Sequence, residues 1–313
     1  MSIIGKIIAV CISGAKGTPK QNITSCLLKP DWGLENDAHG GSWHRQVSLL
    51  SYDKVQKFNQ GGANVSHGDF GENLLVEGID LATLPIGTLL KCGTALLEVT
   101  QIGKECHSKC QIYNKMGDCI MPREGIFAKV LQKGYVSAGD MVGIALSAAV
   151  VTLSDKGAQG TRVDESGKII ANMLKEAGYV VIHQIILPDE QAEIVKTLID
   201  LCDNAKAQLI LTTGGTGLSL RDVTPEATLA VAERIVPGIG EAMRAQSMQI
   251  TPRGMLSRGV GATRGRSLIV NLPGSPKAVR EILGYLLPTI RHGVEILCGL
   301  TGECAAEQIE VPI

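Results

Sequence analysis

Two aspartates and a glycine-rich loop are the residues of this chain whose types and spacing could perform phosphate chemistry. Asp189 lies in the motif ILPDEQ, and Asp222 ends the segment LTTGGTGLSLRD. In that segment, Gly214, Gly215 and Gly217 allow positive φ and leave backbone N–H groups open to a ligand. Such loops bind phosphate, and carboxylates bind divalent cations. The pattern predicts a polyphosphate site with a metal ion, although a glycine-rich loop can also be an ordinary tight turn.

More candidates follow the other apolar segments of the second half. Thr224–Pro225 and Ser275–Pro276 each predict a helix start, in which a hydroxyl caps free N–H groups and proline occupies the first turn. Structural alternatives remain open for the carboxylates: Asp189 could be an N-cap, Asp155 could end a strand, and Asp222 could pair with Arg221. The candidates at strand ends, beyond the aspartates and glycines above, are Ser154, Asp155, Thr213, Thr216, Asn271, Pro273, Gly274 and Ser275.

These residues must be positioned by alternating strands and helices. AAVVTLSD, YVVIHQIIL, QLILTT and SLIVNLPG are typical of buried strands, and ESGKIIANMLKEAG and DEQAEIVKTLIDLCDNA of amphipathic helices. A long helical region is expected before SLIVNLPG, and a last helix that could bend near Pro288 after it. Repeated strand–helix units predict an α/β fold, a mainly parallel sheet with helices on both faces. The polar strand ends would then share one edge.

The first half has a different pattern. RQVSLLS, LLVEGI, GTLLKCGTALLEVTQIG and GYVSAGDMVGIAL are short β-type segments separated by turn residues, and KCGT predicts a hairpin turn. A mostly-β, barrel-like domain is expected. We therefore predict two domains, residues 1–146 and 147–313.

Composition narrows the classes of partner. The 313 residues carry 30 basic and 31 acidic side chains, so no bulk field attracts nucleic acid or an anionic membrane. We find no signal peptide and no apolar segment of about 20 residues. The nine cysteines are an odd number in a large chain, which indicates free thiols in the cytoplasm.

ILPDEQ, LTTGGTG, RDVTPEAT and NLPGSPKAV, in this order, resemble the MogA/MoaB family of molybdenum-cofactor biosynthesis over residues 147–313. The resemblance implies a molybdopterin adenylyltransferase, usually a trimer. In that reaction the terminal phosphate of molybdopterin attacks the α-phosphate of Mg·ATP and pyrophosphate leaves. A molybdenum insertase would be a partner.

The resemblance also assigns roles to residues. Asp189 and Asp222 match the catalytic aspartates and would hold Mg²⁺. The segment GLSLRD departs from the family by lacking an early proline and further basic residues. Expected contacts to ATP phosphates are Thr213, Gly214, Gly215, Thr216, Gly217, Ser154 and Asp155. Expected contacts to molybdopterin are Asn271, Pro273, Gly274, Ser275 and Arg221.

HGGSWHRQVSLLS, GDFGENLLVEGIDL, LLEVTQIGKECH and GDCIMPREGIFAKVL resemble the MOSC domain over residues 3–145. The resemblance implies sulfur carriage or binding of the pterin cofactor, with Cys106 at the recurrent cysteine. Cys106 could be a reactive thiol, could bind zinc with His107, Cys110 and Cys119, or could be inert. His39, His44 and Arg45 could bind a pterin phosphate or be structural hydrogen-bonding groups.

Three classes of function fit these motifs. The first is a bifunctional adenylyltransferase whose MOSC half handles the same cofactor. The second is a non-catalytic molybdopterin carrier, and the third a scaffold whose MOSC half recruits partners. Turnover of ATP distinguishes the enzyme from the other two.

Overall fold

The structure is a computed structural model that describes residues 4–104 and 111–300. The chain divides into two compact units, Met1–Ala145 and Leu146–Ile313. In the described ranges, no helix is long and apolar enough to cross a membrane. Cys106, His107 and Cys110 lie outside the described residues.

The first unit consists mainly of short strands. Three helices accompany them: α1 (Tyr52–Gln60), α2 (Gln111–Met116) and α3 (Met121–Glu124). The strands are β1 (Ile4–Ile12), β2 (Gln21–Ile23), β3 (Ser25–Lys29), β4 (Gly33–Leu34), β5 (Val47–Ser51), β6 (Leu74–Glu77), β7 (Leu89–Cys92), β8 (Ala95–Ile102), β9 (Ile126–Gln132), β10 (Gly134–Ser137) and the start of β11 (Met141–Leu153).

Strand pairing closes a barrel in this unit. β1 pairs with β6, and the ring continues through β5, β9, β8, β7 and the start of β11, which pairs again with β1. All of these pairings are antiparallel except β5 with β6. Closure satisfies the backbone groups that an open sheet would leave at its edges. The predicted barrel-like fold is confirmed.

The predicted hairpin turn is also present. β7 and β8 pair with Cys92 opposite Ala95, which leaves Gly93 and Thr94 as the two turn residues. Gly93 has φ +55°, a conformation that costs other residues energy.

The second unit is built on a sheet with helices on both faces. The remaining strands are β12 (Tyr179–Leu187), β13 (Leu209–Thr213), β14 (Arg234–Ile235), β15 (Gly261–Arg264) and β16 (Ser267–Leu272). The helices are α4 (Asp155–Ala158), α5 (Glu165–Glu176), α6 (Gln191–Asp203), α7 (Thr224–Val231), α8 (Pro237–Ile250) and α9 (Pro276–Leu297).

The order of strands in this sheet is β12–β11–β13–β16–β15–β14. β11 pairs in parallel with β12 and β13, and β13 pairs in parallel with β16, so the predicted mainly parallel α/β fold is confirmed. β14 and β15 are antiparallel additions. They lie in the stretch expected to be helical, where that expectation was wrong. The segment GVGATRGRS combines glycines with β-branched residues, and its strand β15 forms a hairpin with β16, while β14 pairs with β15.

Alternate residues of the strands point to opposite faces of the sheet and bury against different helices. Ala149, Val151, Ile210 and Ile269 form one core with residues of α6 and α7. On the other side, α9 packs against β16, α5 and α8. α9 continues through Pro288 without a break.

The contacts within the second unit predict that residues 147–313 fold without the first unit. Ser147 at the start of this fragment keeps its hydrogen bonds to Gln208, because both residues lie in the fragment. We expect a soluble fragment with a single cooperative thermal transition, measured by circular dichroism. An insoluble fragment beside a well-behaved full chain would contradict two separate domains.

Candidate functional site

The carboxyl ends of the parallel strands surround a pocket of about 550 Å³ in the second unit. This volume suits a small-molecule ligand. Eight of the residues selected from the sequence line it, so residues distant in the chain share one site. These eight are Ser154, Asp189, Thr213, Gly214, Gly215, Asp222, Gly274 and Ser275.

The glycine loop can take its shape only with glycine at two positions. Gly214 and Gly215 have φ values of +98° and +61°. A Cβ on Gly214 would lie 2.3 Å from the carbonyl oxygen of Leu153, and one on Gly215 would lie 2.2 Å from Thr224 Oγ1. Gly217 does not have a positive φ, contrary to expectation, but a Cβ there would approach Asp222 Oδ2 to 2.8 Å. The loop therefore packs too closely for side chains at Gly214 and Gly215.

Hydrogen bonds hold the loop to its neighbours. Thr224 is the first residue of α7 rather than its cap, and its hydroxyl donates to the carbonyl of Gly214 at 2.9 Å. The predicted capping role of Thr224 is wrong, because the hydroxyl is used to close the loop. Thr213 donates to the carbonyl of Pro273 at 2.6 Å, which joins the ends of β13 and β16.

Asp189 and Asp155 join the ends of β11 and β12. The backbone N–H of Asp155 donates to the Asp189 carboxylate at 3.2 Å, and that of Asp189 donates to the Asp155 carboxylate at 3.0 Å. Glu190, not Asp189, is the N-cap of α6. Partial burial raises the pKa of Asp189, and the charges of Asp155 and Asp222 raise it further. Asp189 thus lies where negative charge is concentrated.

Arg221 forms ion pairs with acidic groups beside the pocket. Its guanidinium donates to Asp155 Oδ1 at 2.8 Å and Oδ2 at 3.3 Å, and to Glu190 Oε1 at 2.7 Å. The hydrogen bond from Arg221 lowers the pKa of Asp155. The suggested pair of Asp222 with Arg221 is absent among the described contacts, where Asp222 Oδ2 instead accepts the Ser219 N–H at 3.0 Å.

The segment after β16 combines a buried amide with a helix start. Asn271 is 1 % exposed, and its side-chain nitrogen donates to Thr212 at 3.0 Å and to Thr228 at 2.8 Å. Ser275 caps α9 as predicted, accepting the Ala278 N–H at 3.3 Å. Asn271 therefore stabilises this segment through buried hydrogen bonds, while Gly274 and Ser275 line the pocket.

The remaining candidate residues do not line the pocket but belong to the segments that surround it. Asp155 and Arg221 form the ion pair above, and the Thr216 carbonyl accepts the Arg258 N–H at 3.0 Å. The residues selected from the sequence that do not line the pocket are Asp155, Thr216, Gly217, Arg221, Asn271 and Pro273.

Arg258 is a supporting residue that the sequence reasoning missed. Its Nε donates to the carbonyl of Gly217 at 2.6 Å, one terminal nitrogen donates to the carbonyl of Asp222, and the other pairs with Glu226. Arg258 thus ties both ends of the segment between Gly217 and Asp222 to α7. The motif that contains it, SRGVGA, has no spacing that signals this role.

Asp189 and Asp222 are suited to Mg²⁺, the ion implied by the motifs. Magnesium prefers carboxylate oxygens and is commonly held by one or two carboxylates together with substrate phosphates. The carboxylates of Asp155 and Asp222 both raise the pKa of Asp189, and a divalent cation would relieve this repulsion. No group of three or more His, Cys, Asp or Glu side chains in the described ranges is arranged to hold a metal by itself.

The first unit has a separate pocket of about 710 Å³. Arg45 lines it with its guanidinium 4.8 Å from the ring centre of Trp43 and 5.6 Å from that of Phe127. Arg45 Nε is buried and makes no hydrogen bond to the described part of the chain. Lys104 also lines this pocket. An apolar wall with an available cation suits an anionic ligand that has a flat ring.

A buried ion pair supports this pocket. Lys20 and Asp37 lie 2.6 Å apart, and Asn73 donates to the same carboxylate at 2.6 Å. Although burial opposes the charged form, the hydrogen bond from Lys20 helps to lower the pKa of Asp37 to about 2. His39 Nδ1 lies 3.2 Å from Asp37, and His44 Nε2 lies 3.0 Å from Gln101. Both histidines therefore make structural hydrogen bonds, and His39 also lines the pocket.

The cysteines of the described residues are buried and form no disulfide bond with one another. Burial raises the pKa of Cys11 and Cys92 to about 12, which disfavours a reactive thiolate. Cys119 lines the first-unit pocket. The other members of the suggested zinc set, including Cys106, lie outside the described residues, so the role of Cys106 stays a prediction.

Comparison with known families assigns both halves. The model of a probable molybdopterin binding domain matches residues 149–292, and that of the MOSC domain matches residues 36–143. A molybdopterin adenylyltransferase from Helicobacter pylori is 43% identical over 152 residues, which cover 48% of this chain and 86% of that protein. The chain belongs to the MogA/MoaB family. A MOSC domain precedes its MogA/MoaB half.

Other members of the MogA/MoaB family match the same half. A molybdopterin adenylyltransferase from Escherichia coli is 44% identical over 140 residues, covering 44% of this chain and 72% of that protein. The crystal structure of the molybdopterin biosynthesis enzyme MoaB from Thermus thermophilus is 44% identical and covers 49% of this chain and 97% of its own, with a TM-score of 0.47.

Replacing Arg258 with Gln should loosen the loop between Gly217 and Asp222. The variant loses the donors to both carbonyls, so hydrogen exchange of residues 216–223 should become several-fold faster. The melting temperature of the second unit should fall by about 2–6 °C, since hydrogen bonds from a charged group contribute about 1–3 kcal/mol and Arg258 is partly exposed.

Arg266→Gln is the matched control, because Arg266 is exposed in the turn between β15 and β16. Exchange mass spectrometry should show no change in residues 216–223 for this control. Equal exchange in the wild type and Arg258→Gln would show that Arg258 does not hold the loop.

Proposed function

We propose that the MogA/MoaB half catalyses adenylylation of molybdopterin with Mg·ATP. A phosphate oxygen of molybdopterin attacks the α-phosphorus of ATP, the bond to the β-phosphate breaks, and pyrophosphate leaves. The observation that supports this most is the meeting of Asp189, Asp222 and the glycine loop in one pocket. The activity printed for the relatives, molybdopterin adenylyltransferase, is consistent with it.

The nucleophile in this reaction is already an anion, so the site needs position and charge neutralisation more than a base. We propose that Asp189 and Asp222 are the catalytic residues and hold Mg²⁺. When bound, Mg²⁺ would neutralise charge on the phosphates that react. The N–H groups of the glycine loop would donate to phosphate oxygens, helped by Ser154 and by the backbone around Thr213 and Thr216.

The segment 271–276 is proposed as the molybdopterin side of the site. Gly274 and Ser275 line the pocket at the N-terminus of α9, where free N–H groups and the helix dipole favour an anion. Asn271 and Pro273 would act by fixing this segment, as their hydrogen bonds to Thr212 and Thr213 indicate. Arg221 would reach substrate only after leaving Asp155 and Glu190.

For the MOSC half we propose binding of the same cofactor in the first-unit pocket. Arg45 offers a buried Nε without a partner among the described residues, beside two aromatic rings. A pterin has a flat ring and a phosphate, which fit these groups. Sulfur carriage by Cys106 stays a prediction.

Three further expectations accompany this function. Assembly as a homotrimer through residues 147–313, a molybdenum insertase partner and a cytoplasmic location all stay predictions. A carrier that binds molybdopterin without using ATP is the alternative, and the experiment below distinguishes it from the enzyme.

Replacing Asp222 with Asn should lower adenylyl transfer by at least about 100-fold, because the charge that holds Mg²⁺ is lost. Folding should change little, since an amide oxygen can still accept the Ser219 N–H. The measurement is single-turnover formation of adenylylated molybdopterin beside a thermal melt.

Asp200→Asn is the control, because Asp200 lies exposed on α6 and its carboxylate accepts the side-chain amide of Asn204. Unchanged transfer in well-folded Asp222→Asn would remove Asp222 from the mechanism. Molybdopterin binding by the wild type without pyrophosphate release would favour the carrier.

Replacing Arg45 with Gln should weaken cofactor binding to the first-unit pocket by about tenfold, because the charged partner of the phosphate is lost. Adenylyl transfer by the second unit should remain at the wild-type rate. Fluorescence titration of the full-length variants with molybdopterin, analysed for one site in each unit, measures the binding.

Arg123→Gln is the matched control, since Arg123 forms an exposed pair with Asp118 and does not line the pocket. Equal affinities for Arg45→Gln and Arg123→Gln would contradict cofactor binding through Arg45.

A further inference from the structure

Arg162 is a pocket residue that no motif of the family resemblance includes. It lies in the loop between α4 and α5, and its side chain lines the second-unit pocket together with Val163 and Asp164. Arg162 is exposed and forms no hydrogen bond or ion pair with any described residue. An unpaired guanidinium beside a small-molecule pocket is available to a ligand without breaking an existing contact.

The other charged residues that line this pocket are acidic. They are Asp164, Glu165, Asp189 and Asp222, and Arg162 is the one basic side chain among the lining residues that the structure describes. ATP and molybdopterin both bring negatively charged phosphates. A cation from the protein would neutralise phosphate charge in addition to any metal ion that Asp189 and Asp222 would hold.

Arg221 does not supply this cation in its observed position. Its guanidinium forms two hydrogen bonds with Asp155 and one with Glu190, and it does not line the pocket. A phosphate would have to compete with both carboxylates to recruit it. Arg162 has no such competitor in the described part of the chain.

The backbone on both sides of Arg162 is anchored. Thr161 donates from its N–H and from its hydroxyl to the carbonyl of Lys156, each at 3.0 Å. Asp164 accepts the Thr152 hydroxyl at 2.9 Å and the Gly167 N–H at 2.8 Å, which caps α5. Because its neighbours are fixed, Arg162 loses less freedom on binding a ligand than a side chain on a loose loop would.

The same region is hydrogen-bonded to the segment that follows β16. Ser166, at the start of α5, donates to the carbonyl of Gly274 at 2.8 Å. The loop that presents Arg162 is thus linked to the segment with Gly274 and Ser275, and both border one pocket. A phosphate held there would lie within reach of groups from both segments.

We propose that Arg162 binds a phosphate group of the substrates and sets the affinity of the pocket for one of them. The proposal deepens the proposed function and rests on it for the identity of the substrates. The planar guanidinium can donate two parallel hydrogen bonds to phosphate oxygens, which an ammonium group cannot match. The phosphate can belong to ATP or to molybdopterin, and measuring both affinities distinguishes the two sources.

The test compares the full-length wild type with Arg162→Gln, Arg162→Lys and Lys168→Gln. Lys168 is exposed on α5 and does not line the pocket, so it controls for the loss of one positive charge nearby. Equilibrium dissociation constants are measured for Mg·ATP and for molybdopterin separately, the latter in an Arg45→Gln background that weakens the first-unit pocket. KM and kcat are measured for both substrates.

We expect Arg162→Gln to raise the dissociation constant and KM of one substrate by about tenfold or more, with kcat within about twofold of the wild type. The dissociation constant and KM of Arg162→Lys should lie between those of the wild type and Arg162→Gln. Those of Lys168→Gln should match the wild type. The substrate whose affinity falls is the one whose phosphate Arg162 binds.

Unchanged affinity for both substrates in Arg162→Gln would overturn the proposal, as would an equal loss in Lys168→Gln. Failure of the proposed function has a different signature, because the wild type would then release no pyrophosphate. The binding measurements test Arg162 in either case.

Discussion

Parallel hydrogen bonding among β11, β12, β13 and β16 is the constraint on which the second-unit site depends. Thr152 pairs with Thr213, and Thr213 pairs with Leu272, so the strands end side by side. The residues after each strand must then share one edge of the sheet. Asp189, the glycine loop and Ser275 are more than 20 residues apart in the chain, and this register is what brings them to one pocket.

The segments at that edge of the sheet pack closely together, which explains the glycines in the loop after β13. Thr213 donates to Pro273, and Thr224 donates to Gly214, so the loops after β13 and β16 and the start of α7 are drawn together. At Gly214 the carbonyl of Leu153 occupies the place that a Cβ would need. The same packing excludes side chains at Gly214 and Gly215, and the proposed binding of phosphate by the loop would place the same demand on these positions.

Charge is distributed unevenly around this edge. Asp155 is neutralised by Arg221, whereas burial and neighbouring carboxylates raise the pKa of Asp189. Asp189, which lines the pocket, forms no ion pair with a described residue, a condition that a metal ion and a polyphosphate can satisfy together. In the first-unit pocket, Asp37 is matched by buried Lys20, and the Nε of Arg45 has no hydrogen-bond partner among the described residues.

The sequence by itself determined the two fold classes, the four parallel strands of the second-unit sheet and the groups at their carboxyl ends. Apolar periodicity and turn residues act locally, so they can be recognised without a structure. Only the tertiary structure decided that Arg221 pairs with Asp155 rather than Asp222, that Thr224 closes a loop rather than caps a helix, and that Arg258 and Arg162 belong to the site. Those outcomes depend on distances between segments far apart in the chain, and side-chain partners across such distances leave no spacing in the sequence. The short strands β14 and β15 were missed for the same reason, because β15 gains its hydrogen bonds from β16, and β14 from β15, rather than from a strong local pattern.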